Sequence, residues 1–135
     1  MDKNIVILIS KISRYQKKYL NNYLKNTDLE SSQVIVLMKI KEYINLTPKE
    51  IFEMGIVEKS SVTKILKKLE ELKYIEKVYS NNDKRSYNVG ITKKGEEMCL
   101  SIEKVIGELN LIYEKITSST FFEDLTKILD EVYDE

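Results

Sequence analysis

The spacing of apolar residues changes from helical to alternating near residue 74, and this change limits the folds open to the chain. Before that point apolar residues recur mostly every three or four positions, which indicates amphipathic helices. From Tyr74 to Tyr79 and from Tyr87 to Ile91 they alternate, and β-branched and aromatic residues are frequent. The segment between the two runs is polar and of turn type. The sequence therefore predicts one β-hairpin with a basic tip in a mainly helical chain.

Six helices are predicted around this hairpin. The third has the clearest start, because Thr47 can cap it, Pro48 suits its first position and Glu50 completes a capping box. Short helix, tight turn, helix and ribbon is the order of a winged helix-turn-helix, in which the second helix of the pair enters the DNA major groove. The predicted helices span about 3–25, 32–43, 47–55, 59–73, 92–116 and a final segment that carries Phe122 to Val132. Apolar spacing assigns Ile112 and Ile116 to the inward face of the fifth helix.

Composition excludes several classes of protein. The 135 residues, of which 42% are apolar, suffice for one domain with a core. The chain contains no histidine and a single cysteine, Cys99, so we expect neither a metal site nor an internal disulfide. There is no nucleophile–base pair or phosphate loop, so we expect no enzyme and no cofactor. No long apolar run or signal-peptide pattern is present, and a cytoplasmic protein without a membrane partner is expected.

The charge is unevenly distributed along a chain whose net charge is zero. Residues 59–94 contain ten basic and four acidic residues, whereas residues 95–135 contain three basic and eleven acidic residues. A basic middle of net charge +6 can face a polyanion on one side of the molecule. The alternative interpretation is chance clustering of charges on solvated helices.

The fourth helix and the hairpin tip carry the candidate DNA contacts. The apolar stripe of this helix centres between Val62 and Leu69, and its opposite side carries short hydroxyls and lysines. Such residues near a helix N-terminus suit binding to phosphates and base edges. We expect Asp83 to pair with a nearby cation, Lys64 or Arg85, and to orient it. The predicted DNA contacts are Lys59, Ser60, Ser61, Thr63, Lys64, Lys67, Lys84 and Arg85.

At these motifs the sequence resembles the MarR family of bacterial transcriptional regulators, and the resemblance covers essentially the whole chain. It is strongest in the Thr-Pro-Lys-Glu-Ile segment at 47–51, in 59–64, and in Asp83-Lys84-Arg85 followed by the Ile-Thr-Lys-Lys-Gly segment at 91–95. The resemblance implies a homodimer on a near-palindromic double-stranded DNA site, with 59–73 as the recognition helix and 79–87 as the wing. It also implies dimerisation by the terminal helices and, in many members, DNA release by a small anionic or phenolic ligand or by an oxidant.

The chain departs from the family pattern at three positions. Phe52 stands where the family usually has a small alanine, and Glu58 replaces the more common Asp or Ser cap. Lys73 stands where a glycine usually ends the recognition helix. A non-glycine residue in the left-handed conformation would be strained there, so an altered helix end is expected.

The two ends of the chain carry more apolar positions than a small winged helix can cover. Phe121 and Phe122 are adjacent, as are Ile128 and Leu129, and such pairs widen an apolar stripe beyond what one partner helix buries. We therefore expect a single domain, 1–135, with a winged-helix region at 30–92 and dimerisation helices at 1–25 and 93–135. The predicted interface residues are Ile5, Leu8, Ile12, Phe122, Leu125, Ile128 and Leu129.

Two further features leave alternatives open. Tyr15, Tyr19 and Tyr23 are candidates for an effector pocket, although their helical spacing also suits core residues. Cys99 is expected to be a buried structural thiol, with redox sensing as the alternative. The sequence as a whole predicts a sequence-specific DNA-binding transcriptional regulator, a repressor acting as a homodimer and released by a small effector. The alternative is a winged-helix module for protein–protein contact without specific DNA binding.

Overall fold

The computed structural model of the chain describes residues 3–80 and 85–133. These residues form six α-helices and one two-stranded antiparallel sheet, which confirms the predicted mainly helical fold with a β-wing. Of the described helices, none is long and apolar enough to cross a membrane. The elements in chain order are α1 (Ile5–Leu24), α2 (Ser31–Glu42), α3 (Pro48–Glu53), α4 (Lys59–Glu71), β1 (Ile75–Tyr79), β2 (Tyr87–Ile91), α5 (Lys93–Ile116) and α6 (Phe121–Val132).

The chain divides into two compact units, Met1–Ile102 and Glu103–Glu135. The core of the first unit lies where α2, α4, the short α3 and the sheet pack together. Leu37 of α2, Ile51 of α3 and Leu69 of α4 are all fully buried. In the second unit the rings of Tyr113 and Phe121 lie 6.5 Å apart.

The start of α3 has the predicted capping box. The Thr47 side chain accepts a hydrogen bond from the Glu50 backbone amide at 3.1 Å, and the Glu50 carboxylate accepts one from the Thr47 amide at 3.1 Å. Two amides that the helix itself cannot satisfy are thereby paired. The box fixes the entry into α3, and α3 packs against α4.

The hairpin is anchored at its base. Its strands pair in the register Ile75 with Ile91 through Tyr79 with Tyr87. The buried Val89 donates its backbone amide to the Leu46 carbonyl at 2.7 Å, which ties the hairpin to the segment before α3. This hydrogen bond and the buried Val89 side chain hold the base of the wing against the helical core.

Not every apolar residue that spacing assigned to a core is covered. Ile112 and Ile116 were expected to face inward on α5, but they are 43% and 79% exposed. Ile5, Leu8 and Ile12 of α1 are also exposed, but these were predicted as interface residues and not as core. The expectation for α5 is wrong within the single chain, because helical spacing identifies an apolar face without identifying what covers it.

Candidate nucleic-acid interface

Helix α4 buries one face and leaves the opposite face in solvent. Val62, Ile65, Leu66 and Leu69 are buried against α2, α3 and β1. This packing determines which side chains point outward, because residues opposite the stripe cannot reach the core. Ser61 is half-buried at the edge of the exposed face. The other predicted contact residues of the helix are exposed, namely Lys59, Ser60, Thr63, Lys64 and Lys67.

The N-terminus of α4 is free of acidic residues in its first turn. Its N-cap, Glu58, makes no side-chain capping hydrogen bond, and its carbonyl accepts from the Ser61 amide at 2.9 Å. The positive end of the helix dipole therefore coincides with lysines and hydroxyls on the exposed face. The Lys59 ammonium lies 5.3 Å from the centre of the Phe52 ring, at the distance of a cation–π contact.

The C-terminus of α4 turns in a left-handed residue although the glycine is missing. Lys73 has a φ of 67°, and the amides of Lys73 and Tyr74 donate to the carbonyls of Glu70 and Leu69. This pair of hydrogen bonds is a Schellman motif, and a non-glycine residue at its centre is strained by about 1 kcal/mol. The helix therefore ends as it would with a glycine, at a free-energy cost, and the expectation of an altered helix end is wrong.

The first turn of α5 holds this helix end in place. The Lys94 ammonium donates to the Leu72 carbonyl at 2.7 Å, and the Thr92 hydroxyl donates to the Lys73 carbonyl at 2.7 Å. Thr92 also caps α5 by accepting from the Gly95 amide at 3.1 Å. A Cβ on Gly95 would lie 2.2 Å from the Tyr74 carbonyl oxygen, so only glycine fits. The Ile-Thr-Lys-Lys-Gly segment thus couples α4 to α5.

Tyr74 anchors the same junction from the other side. Its hydroxyl donates to Asp28 Oδ1 at 2.9 Å, and the Lys94 ammonium lies 4.5 Å from its ring centre. Burial raises the pKa of Tyr74 to about 12, and the hydrogen bond to the Asp28 carboxylate adds to the shift. The hydroxyl therefore stays protonated and keeps the α4–β1 connection bound to the segment before α2.

The wing places one of the predicted DNA contacts on the surface. Arg85 is exposed at the start of the segment that leads into β2. Asp83 and Lys84 fall outside the described residues, so the expected pairing of Asp83 with Lys64 or Arg85 stays a prediction. Further down the hairpin, Lys77 of β1 lies 3.8 Å from the Glu70 carboxylate of α4 and 4.9 Å from the centre of the Tyr87 ring.

The predicted effector tyrosines lie on α1 with their side chains partly in solvent. The Tyr23 hydroxyl donates to the Ser101 carbonyl at 3.1 Å, and the Arg14 guanidinium lies 5.1 Å from the Tyr15 ring centre. A cavity of about 570 Å³ lies elsewhere in the first unit and does not include these tyrosines. It is lined by Lys17, Ser31, Ser32, Ile35, Gly55, Ile56, Val57, Glu58 and Ser61.

The predicted dimer residues are exposed in each unit taken by itself. In α1 these are Ile5, Leu8 and Ile12, and in α6 they are Phe122, Leu125, Ile128 and Leu129. Along Phe121–Val132, all of which the structure describes, no residue is buried.

Cys99 is fully buried, with its thiol 4.0 Å from the Leu37 carbonyl.

The arrangement suits the binding of a polyanion. Cations and hydroxyls converge on the exposed face of α4. At positions 3–80 and 85–133 no three acidic or cysteine side chains group closely enough to hold a metal ion. Sequence reasoning missed the contact of Lys94 with the Leu72 carbonyl and those of Lys77 with Glu70 and Tyr87, although Lys94 lies inside a motif it had identified. It noted Phe52 as unusual without finding its contact with Lys59.

Comparison with known proteins gives a consistent result. The sequence model of the MarR family matches residues 29–87, which include α2, α3, α4 and the wing. The chain is 32% identical over 99 residues to the HTH-type transcriptional regulator SarZ of Staphylococcus aureus, covering 70% of this chain and 66% of the relative. It is 26% identical over 132 residues to the HTH-type transcriptional regulator BilQ of Clostridioides difficile, covering 98% of this chain and 89% of the relative.

Solved structures give the same result for the fold. A mutant MarR from E. coli, solved in complex with operator DNA, superposes with a TM-score of 0.79 at 25% sequence identity. The alignment covers 96% of this chain and 94% of that chain. The similarity therefore extends beyond the winged-helix region to the terminal helices.

Proposed function

Because the chain belongs to the MarR family, we propose that it is a transcriptional regulator that binds double-stranded DNA sequence-specifically, as a homodimeric repressor on a near-palindromic operator. It acts by binding and not by catalysis. The observation that carries the proposal is the exposed face of α4, where Ser60, Thr63 and Lys64 share one side of a helix packed by its opposite side. A helix presented in this way enters the major groove as a rigid element.

The wing supplies the second contact in this proposal. Arg85 is exposed at the end of the hairpin, and a wing beside a recognition helix reaches the backbone or the minor groove. Narrow A·T tracts attract arginine because their potential is strongly negative. Lys84 belongs to the same contact in the proposal, and Asp83 orients one of the cations.

The homodimer rests on the exposed apolar ends of the chain. Monomeric proteins rarely leave large contiguous apolar surfaces in water, and α6 exposes Phe122, Leu125, Ile128, Leu129 and Val132. The charges of the two ends are also complementary. Helix α1 contains four basic and no acidic residues, whereas α6 contains four acidic residues and one basic residue. A two-fold dimer built from both ends buries apolar surface and brings two recognition helices to two half-sites.

The proposal also includes release of the protein from DNA by a small effector molecule. The cavity of about 570 Å³ reaches Glu58 and Ser61 at the start of α4 and carries one cation, Lys17, together with serine hydroxyls. A small anion held there would contact the turn that positions the recognition helix. The three tyrosines of α1 remain candidates for a second, aromatic lining.

The second candidate function is a protein–protein module, in which the lysine face binds an acidic protein. Affinity selection of duplexes from a random pool separates the two. We expect recovery of an inverted-repeat site whose affinity falls steeply with salt, since each neutralised phosphate releases counterions. Substitution of Lys64 and Lys67 by glutamine should flatten the salt dependence, whereas the same change at Lys104 and Lys127 should not. Failure to enrich any site, or a salt-independent affinity, would overturn the DNA proposal.

A further inference from the structure

The direction of the wing depends on contacts beyond the pairing of its two strands. An isolated two-stranded hairpin is marginally stable in water. The hydrogen bond from Val89 to Leu46 fixes the base of this hairpin. Beyond the base, Tyr79, Arg85 and Ser86 are exposed, so side-chain contacts between the wing and the helices bear on the direction of the wing.

Lys77 belongs to β1 of the wing, and its side chain contacts both α4 and the facing strand β2. Its ammonium is 3.8 Å from Glu70 Oε1 on α4 and 4.9 Å from the centre of the Tyr87 ring on β2. The Tyr87 ring is in turn 5.9 Å from the ring of its cross-strand partner Tyr79, in a tilted arrangement. The side chains of Lys77 and Glu70 are 37% and 39% exposed, so the contact is partly shielded from water.

We propose that Lys77, with Glu70 and Tyr87, is a positioning cluster that sets the angle between the wing and the recognition helix. The inference rests on the proposed function, because the angle matters when one molecule of DNA contacts both elements. Glu70 belongs to the helix that enters the major groove, and Tyr87 is two residues from Arg85. The cluster therefore determines where Arg85 lies relative to the α4 contacts.

The expected effect follows from preorganisation. A wing that is free to swing must be ordered when DNA binds, and that ordering lowers affinity without removing a DNA contact. Cation–π contacts at partly exposed sites correspond to roughly a two- to fivefold change in an equilibrium constant. We therefore expect Lys77→Met and Tyr87→Leu each to weaken binding to the selected duplex by about two- to fivefold.

The decisive measurement is a double-mutant cycle with Arg85. If Lys77 acts by positioning the wing, Lys77→Met should have little effect once Arg85→Ala has removed the group it positions. If Lys77 contacts phosphate directly, its loss persists in the Arg85→Ala background and lowers the salt slope by about one phosphate contact. Additive losses would overturn the proposal, as would full wild-type affinity in both single variants.

Glu70 provides a test of opposite sign. Removal of a carboxylate near DNA normally raises affinity, so Glu70→Gln is compared with Glu71→Gln, the same change at the adjacent exposed position of α4. Positioning predicts that Glu70→Gln binds less tightly than Glu71→Gln. Equal affinities, or tighter binding by Glu70→Gln, would show that the carboxylate does not hold the wing.

Amide hydrogen exchange in the free protein keeps the proposal separate from the proposed function. Lys77→Met and Tyr87→Leu should speed exchange of the paired amides in β1 and β2 and leave the amides of α2 unchanged. Unchanged exchange in the wing would contradict the cluster even for a protein that binds DNA. Faster wing exchange in a protein that enriches no duplex would retain the cluster and reject only the DNA function.

Discussion

Helices α4 and α6 have nearly equal length and similar amphipathic patterns, yet they are covered very differently. Helix α4 has 13 residues and buries Val62, Ile65, Leu66 and Leu69. Helix α6 has 12 residues, and Phe122, Leu125, Ile128 and Leu129 are between 45% and 81% exposed. The apolar face of α4 is covered by elements of its own unit, whereas that of α6 is open in the single chain.

The difference shows that an apolar stripe alone does not identify its partner. Local sequence determines that each helix has two faces, but the tertiary fold decides which face is covered. In α4 the packed face fixes the direction of the polar face and so prepares a binding surface. In α6 the apolar face is itself the binding surface in our proposal, with a second copy of the chain as the partner.

The largest expected effect is on assembly. Leu125→Asp combined with Ile128→Asp places two carboxylates in the proposed dimer interface, where each uncompensated charge costs several kcal/mol. We expect the dissociation constant of the dimer to rise by roughly a thousandfold or more, which light scattering across dilution measures. Lys127→Asp, which lies opposite the apolar stripe of the same helix and makes the same change in net charge, is the control and should stay dimeric. A wild-type protein that is folded and monomeric would contradict the proposed dimer, because α6 would then need no partner.

A milder pair of substitutions distinguishes the two kinds of burial. Leu69→Ala removes a fully buried side chain from α4 and should lower the free energy of unfolding by about 2–5 kcal/mol at any protein concentration. Leu129→Ala removes an exposed side chain from α6, so it should lower stability where the protein is dimeric, and its effect should disappear when dilution takes the protein below the dissociation constant. Thermal unfolding at several concentrations measures both. A concentration-independent loss for Leu129→Ala would indicate that α6 is covered within its own chain.

The exposed face of α4 should govern sequence preference without affecting stability. Lys64→Ala should change the base preference of selected duplexes by about 1–3 kcal/mol for each lost base contact. Arg85→Ala should lower affinity while the protein stays folded, as circular dichroism would verify. Selected-site profiles that match wild type for Lys64→Ala would reduce this lysine to a phosphate contact.

The smallest expected effect is a pH dependence of stability that comes from the Tyr74 hydroxyl at the end of α4 and lies above neutral pH. The folded-state pKa of Tyr74, about 12, lies above the unfolded value of 10.0. The stability from the protonated hydroxyl is therefore complete below pH 10 and is lost as pH rises toward 12. Unfolding free energies of wild type and Tyr74→Phe should converge over that range, and Asp28→Asn should reduce the pH dependence. Parallel curves for wild type and Tyr74→Phe would contradict this assignment.

Much of the fold followed from local signals. The Thr47–Glu50 box and the Thr92 cap depend on residues three apart in sequence, so their geometry can be inferred from the chain alone. The strand from Tyr87 to Ile91 also matches its prediction, whereas the first strand begins at Ile75 and not at Tyr74. Tyr74 is instead drawn into the turn that closes α4.

The parts that sequence reasoning could not supply depend on contacts between distant residues. Tyr74 and Asp28 are 46 positions apart, and Lys94 reaches a carbonyl 22 positions earlier. No periodicity encodes such pairs, since they exist only after the elements have packed. The exposed state of Ile112 and Ile116 was missed for the same reason, because a stripe on α5 is equally consistent with cover from inside or outside the chain.

The buried thiol of Cys99 can report when the packing around it opens. Its thiol is fully buried beside the Leu37 carbonyl of α2, so a thiol reagent must wait for that part of the first unit to separate. Under conditions where reclosing is faster than modification, the labelling rate gives the free energy of that opening. Because it is the single thiol of the chain, the signal needs no assignment among sites. The labelling rate therefore measures how readily the packing between α2 and α5 opens in the wild-type protein, without an introduced probe.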